Sequence, residues 1–224
     1  MLKLWKWYQQ CLSTHPVKTQ IVSSGFLWSI GDIGAQYITH STAVSLILFS
    51  NVLEQDAEAE FKINWKRVAI TGLFGFGFIG PLGHYWYEGL DKIMRLRFQL
   101  PPKSLRFVAA KVAADTLIFA PFDLFVFFTY MGLASGKSVA QVKEDVRRDF
   151  LPAMIMEGSI WPIVQVANFR YVPVRHQLLY VNTFCLLDSA FLSWFEQQND
   201  APWKQWFTSV KPLKEREGQG QGRL

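Results

Sequence analysis

Eight polar side chains stand inside otherwise apolar stretches of this 224-residue chain: Asp32, Gln36, Lys111, Asp115, Glu157, Gln165, Asn168 and Asp188. Groups of this kind need a partner, a water path or a neighbouring helix, because hydrocarbon offers them none. Two chemistries follow. Gathered around a narrow aqueous route, they would pass small solutes or ions, and the four carboxylates against one Lys would favour cations if they are ionised. Paired across helix contacts, they would only lock helices together. On an ideal helix of about 100° per residue, Glu157, Trp161, Gln165 and Asn168 share one face. Lys111 and Asp115 stand four apart, a spacing at which the two charges can pair and neutralise each other.

Catalysis would need a nucleophile with its base, a metal cluster or a cofactor loop. His15, His40, His84 and His176 lie far apart, and none pairs with a Cys or Glu at metal-ligand spacing. The glycines from Gly72 to Gly83 lack the Lys-Ser/Thr ending of a phosphate loop. Ser29 stands where an intramembrane aspartyl protease would carry the first Gly of Gly-x-Gly-Asp, so Asp32 is not expected to be a catalytic acid. Only Cys11 and Cys185 are present, which argues for no disulfide framework and no cysteine-rich metal site. The expectation is a protein without enzyme activity, cofactor or metal.

The elements that must position these groups are helices. Half of the chain is hydrophobic, with 19 Phe and 9 Trp, yet the mean hydropathy is only +0.10. The apolar residues gather into runs near the roughly 20 residues that a bilayer core requires, with charge between them. The fold class read from this is all-α, a multi-pass transmembrane helix bundle. Spans are expected near 17–38, 68–90, 107–133 and 177–195, with residues 151–169 as an irregular or re-entrant segment. Four full spans would put both termini on one side of the membrane. Residues 1–199 then form a single transmembrane domain, interrupted at about 39–66 by a polar insertion loop that holds Glu54, Asp56, Glu58 and Glu60. Residues 200–224 are polar and end in alternating Gly and Gln, a composition that indicates disorder.

Within the first span Lys18, Gly25, Ser29, Asp32 and Gln36 share one face, which makes sense only against other helices or a hydrated interior. In the second, Gly72, Gly75, Gly80 and Gly83 form another face, apart from Gly77. Small residues there let helices approach closely, within one chain or between copies in a homo-oligomer. Pro81 and Pro121 should kink their helices. The net charge of +5 resides mainly in loops and tail, as in Lys92, Arg95, Arg97, Lys103 and Arg106. Such flanking cations meet lipid headgroups rather than nucleic acid. Lys3, Lys6 and Lys18 precede the first acidic residue, Asp32, a start that suits a retained organelle-targeting segment.

The run Trp161, Pro162, Gln165, Asn168, Phe169, Val172 and Pro173 reads W-P-x-x-Q-x-x-N-F-x-x-V-P. It resembles the signature of the Mpv-seventeen/peroxisomal membrane 22-kilodalton protein family. Leu4, Trp5, Tyr8, Leu12, His15 and Pro16, followed by Gly25, Gly31, Asp32 and Gln36, are similar to the family's opening. Gly75, Gly77, Gly80, Pro81, His84, Trp86, Tyr87, Leu90 and Asp91 are similar to its second block, and Lys111, Asp115 and Pro121 to its third. The resemblance covers Leu4 to Ser193. It implies a small multi-pass protein of an organelle membrane and a channel or regulated pore for small solutes that contributes to membrane homeostasis. A non-conducting integrity or scaffold protein acting through partners is the alternative. The basic start favours the mitochondrial inner membrane, with the peroxisomal membrane as the other location. The chain departs from the family pattern at Thr116, Glu157, Gly158, Gln177 and Asp188.

Overall fold

Helix starts in this chain are written by small polar residues. Asn64 Oδ1 accepts from the Arg67 backbone N–H at 3.1 Å, and Ser104 Oγ accepts from that of Phe107 at 3.2 Å. Ser138 and Gln141 form a reciprocal capping box. These caps occupy donors that a helix leaves free at its first turn. The computed structural model describes residues 2–49 and 61–197, with side chains at 3–41 and 61–188. The acidic cluster Glu54 to Glu60 (apart from the cluster's surroundings after 60) and the tail at 200–224 lie outside the described residues. Among the described residues there are six helices: α1 (Leu2–Thr14), α2 (Pro16–Phe49), α3 (Trp65–Arg97), α4 (Leu105–Ala134), α5 (Val139–Tyr171) and α6 (Val174–Gln197).

Three of them, α3, α4 and α5, are long and apolar enough to cross a membrane. The protein is an all-α membrane protein of bundled helices. Two expectations change. Helix α2 continues to Phe49, well into the region expected to be an insertion loop. Residues 151–169 are not irregular but lie within the continuous 33-residue α5, which passes through Pro152 and Pro162. Prolines persist in membrane helices where neighbouring helices satisfy the freed backbone groups.

At Pro81 and Pro121 the chain widens its helix rather than breaking it. A π-helical turn, Gly75–Ile79, immediately precedes Gly80 and Pro81, and a second, Asp115–Phe119, precedes Ala120 and Pro121. In each, the next backbone N–H reaches five residues back, from Gly80 to Gly75 and from Ala120 to Asp115. A proline has no N–H and its ring crowds the carbonyl four residues earlier, and the wider turn accommodates both. Pro173 instead ends one helix and opens the next, with Val172 extended before it as a residue preceding proline prefers.

Contacts fix the directions. Ile21 meets Gly80 and Gly25 meets Gly72, so α2 and α3 are antiparallel. Asp91 meets Lys111 and Ile70 meets Tyr130, so α3 and α4 are antiparallel as well. Gly132 against Val142 and Asp115 against Gln165 do the same for α4 and α5. Helix α6 returns parallel to α2, with Arg175 at Gln20 and Asn182 at Ser24. The long helices α2 to α6 therefore alternate in direction, and the start of α2 and the end of α6 stand at opposite ends of the bundle. If all five cross, the two ends lie on opposite sides of the membrane, whereas the four spans expected from sequence put both on one side.

The bundle buries polar groups beside an apolar core and presents large apolar residues on its outside. Gln20, Ser24, Asp32, Lys111, Asp115, Gln165, Asn168 and Asn182 are buried. Leu73, Leu117 and Ile163 are 62%, 74% and 74% exposed. Large apolar residues on an outer surface need a nonaqueous neighbour, which a bilayer supplies.

Candidate functional site

The interior polar groups fall into layers along the bundle. In the layer nearest the start of α4, Lys111 is wholly buried and its Nζ donates to Asp91 Oδ1 at 3.3 Å and Gln177 Oε1 at 3.2 Å. Its ammonium also lies 4.6 Å from the centre of the Phe169 ring, within the range of a cation–π contact. Asp91 is shared with Arg95, whose Nε is 2.7 Å from Oδ2.

One turn along α4, Asp115 accepts from Trp86 Nε1 at 2.8 Å and from Gln165 Nε2 at 2.7 Å. The same Gln165 amide is 3.0 Å from the Tyr87 hydroxyl, and Gln165 Oε1 accepts from Asn168 Nδ2 at 2.8 Å. The expected Lys111–Asp115 pair is therefore not formed. Antiparallel packing puts Asp91 opposite Lys111 and Trp86 opposite Asp115, and each charge is satisfied across the helix contact instead of along its own helix.

A third set joins α2 to α3 and α6. His84 Nδ1 is 2.7 Å from Gln20 Oε1, the Trp28 indole donates to Asn182 Oδ1 at 3.2 Å, and Asn182 Nδ2 donates to Ser24 Oγ at 2.7 Å. Toward the start of α3, Asp32 accepts from Gln36 Nε2 at 2.7 Å and from Arg67 Nε at 2.8 Å. Gln36 Oε1 accepts in turn from the Asn64 backbone N–H at 2.7 Å.

The glycine face of α3 holds these layers in register. A methyl group on Gly80 would come within 2.6 Å of Ile21 Cα, one on Gly75 within 2.8 Å of the Ser24 carbonyl, and one on Gly83 within 2.6 Å of Leu178. Gly72 sits against Ser29, while Gly77 has open space around it. The face is a contact to α2 and α6 inside one chain.

Between the layers lies a cavity of about 130 Å³. Among the described residues, five carboxylates line it, Asp32, Asp115, Asp123, Glu157 and Asp188, and Arg67 is the one cation. Gln165 and Trp161 also reach it. Of the residues singled out by sequence, Asp32, Asp115, Glu157, Gln165 and Asp188 meet at this cavity. Gln36, Lys111 and Asn168 do not line it, being held in the hydrogen-bonded layers at its ends. Asp123 and Arg67 are cavity residues that sequence reasoning missed. Asp123 stands eight residues after Asp115, a spacing that could have signalled it, whereas Arg67 sits at the boundary of a span and looks like an ordinary flanking cation.

Residues 132–193 match the Mpv17 / PMP22 family. The chain is 31% identical over 186 residues to PXMP2/4 family protein 4 of Dictyostelium discoideum, covering 83% of this chain and 89% of that one. The chain belongs to the Mpv17 / PMP22 family. It is also 32% identical over 194 residues to the mitochondrial inner membrane protein Mpv17 of Xenopus laevis, covering 87% of this chain and 97% of the relative. Protein SYM1 of Gibberella zeae is 31% identical over 193 residues, 86% of this chain and 97% of its own. No solved structure matches the chain. In this Mpv17 / PMP22 family member, the Trp161 to Pro173 run supplies both a cavity wall, through Trp161 and Gln165, and the buried layer beneath it, through Asn168 and Phe169.

Proposed function

We propose that this Mpv17 / PMP22 family protein is a channel or regulated pore for small solutes in an organelle membrane, the mitochondrial inner membrane first. The observation that carries the reading is the cavity inside the bundle, lined by five carboxylates and one Arg. A bundle that used polar groups only to join helices would pair them all, as it pairs Lys111 with Asp91 and Gln177. At the cavity Asp32 and Asp115 are paired, but Asp123 Oδ1 has no hydrogen-bond partner and Glu157 and Asp188 line the open volume, an arrangement that a hydrated solute path would use. The layers of Lys111 and of Asp115, Gln165 and Asn168 close the route toward the start of α4, so this conformation is a shut one. The bilayer is the protein's surrounding, and the reading includes neither nucleic acid nor an enzymatic step.

The scaffold alternative draws on the same closed layers, which tie α3 to α4, α5 and α6. Osmotic swelling of proteoliposomes separates the two. A pore predicts faster re-swelling in small-solute gradients than in protein-free vesicles. Equal rates with folded protein present would favour the scaffold.

A further inference from the structure

Donors around the cavity are unevenly shared. Asp32 has Arg67 and Gln36, and Asp115 has Trp86 and Gln165. Asp123 lines the cavity, and its Oδ1, shielded from solvent, has no hydrogen-bond partner. Glu157 and Asp188 stand within electrostatic reach of it and of each other. An enclosed carboxylate oxygen without a donor, on a cavity that two further carboxylates line, is costly inside a membrane protein while it is charged, and either a proton or a bound cation relieves that cost.

The surroundings say what kind of positive group fits. Phe119, Phe127 and Trp161 line the same cavity, and aromatic faces attract cations that carry carbon substituents as well as charge. Among the described residues, no three acidic, His or Cys side chains converge closely enough to hold a metal ion. A bare Mg²⁺ or Ca²⁺ wants about six or more oxygens at roughly 2.0–2.6 Å, which carboxylates spread along a wall do not offer. We infer that the cavity binds a small organic cation, with its ammonium centre among Asp123, Glu157 and Asp188 and its carbon atoms against Phe119, Phe127 and Trp161. The inference rests on the proposed pore reading and names the class of solute that its cavity selects.

The test uses the full chain in lipid nanodiscs, titrated with tetramethylammonium chloride while calorimetric heat and tryptophan fluorescence are recorded. Sodium chloride at equal ionic strength is the control. Saturable tetramethylammonium binding is expected, absent for sodium, and Asp123→Asn and Glu157→Gln should each weaken it by about tenfold. Phe127→Leu removes an aromatic wall without changing charge and should weaken binding by about threefold, which keeps a reading if a carboxylate variant fails to fold. No saturable binding by folded wild type, or unchanged binding in the folded variants, overturns the site. Current across planar bilayers without such binding would overturn the site and leave the pore. Binding without current would leave the site and overturn the pore.

Discussion

Lys111 Nζ stands 3.3 Å from Asp91 Oδ1 across the contact between α3 and α4, and Lys111 has no solvent exposure. The pair joins two helices at a depth where neither charge has water to turn to. Asp91 retains Arg95 if the lysine is removed, while Gln177 Oε1 loses this donor.

Lys111→Met is therefore expected to destabilise the folded protein by about 2–4 kcal/mol, since breaking a buried pair leaves a charge behind. Adding Asp91→Asn should recover part of the loss. Adding Asp115→Leu should recover none, because Asp115 is held by Trp86 and Gln165. A double-mutant cycle on denaturation in detergent measures both couplings, and a larger rescue through Asp115 would contradict the assignment.

Gly80 and Gly77 make a matched pair of sites on one helix. Gly80→Ala drives a methyl group to within 2.6 Å of Ile21 Cα, a backbone atom that cannot rotate away, so α2 and α3 must separate at a cost of about 1–3 kcal/mol. Gly77→Ala meets nothing within 4 Å and should be neutral, or stabilising by up to about 1 kcal/mol through helix propensity. Thermal melts followed by helical circular dichroism compare the two. Equal effects would mean that the face does not pack as described.

Periodicity made much of this architecture legible. The 3.6-residue repeat brings Gly72, Gly75, Gly80 and Gly83 to one side of α3, and it aligns Glu157, Trp161 and Gln165 on the side of α5 that reaches the cavity. Spacing within one helix cannot rank partners on different helices. Lys111 and Asp115 have the right separation to pair, but tertiary packing offers each a nearer partner. Periodicity also says nothing of depth, which is why Asn168 shares a face with Gln165 yet lies in the layer beneath the cavity. Pro152 and Pro162 suggest an interrupted segment, while the neighbours of α5 carry its helix through both.

The alternating directions of α2 to α6 make a prediction about topology. If all five cross, a tag ahead of residue 16 and a tag after residue 197 should be reached from opposite faces of the membrane. Protease protection in sealed organelles, before and after permeabilisation, reads this. Protection or cleavage of both tags together would mean that one of the five helices does not cross.

The central claim is that the acidic cavity conducts, and recording from single proteins in planar bilayers tests it most directly. Wild type should show discrete openings with a preference for cations over anions. Glu157→Gln keeps the side chain's size and its capacity to hydrogen-bond but removes an ionisable carboxyl from the cavity, so it should lower that preference while the protein remains folded. Folded wild-type protein that carries no current at any voltage, or a cation preference unmoved by Glu157→Gln, would contradict the account.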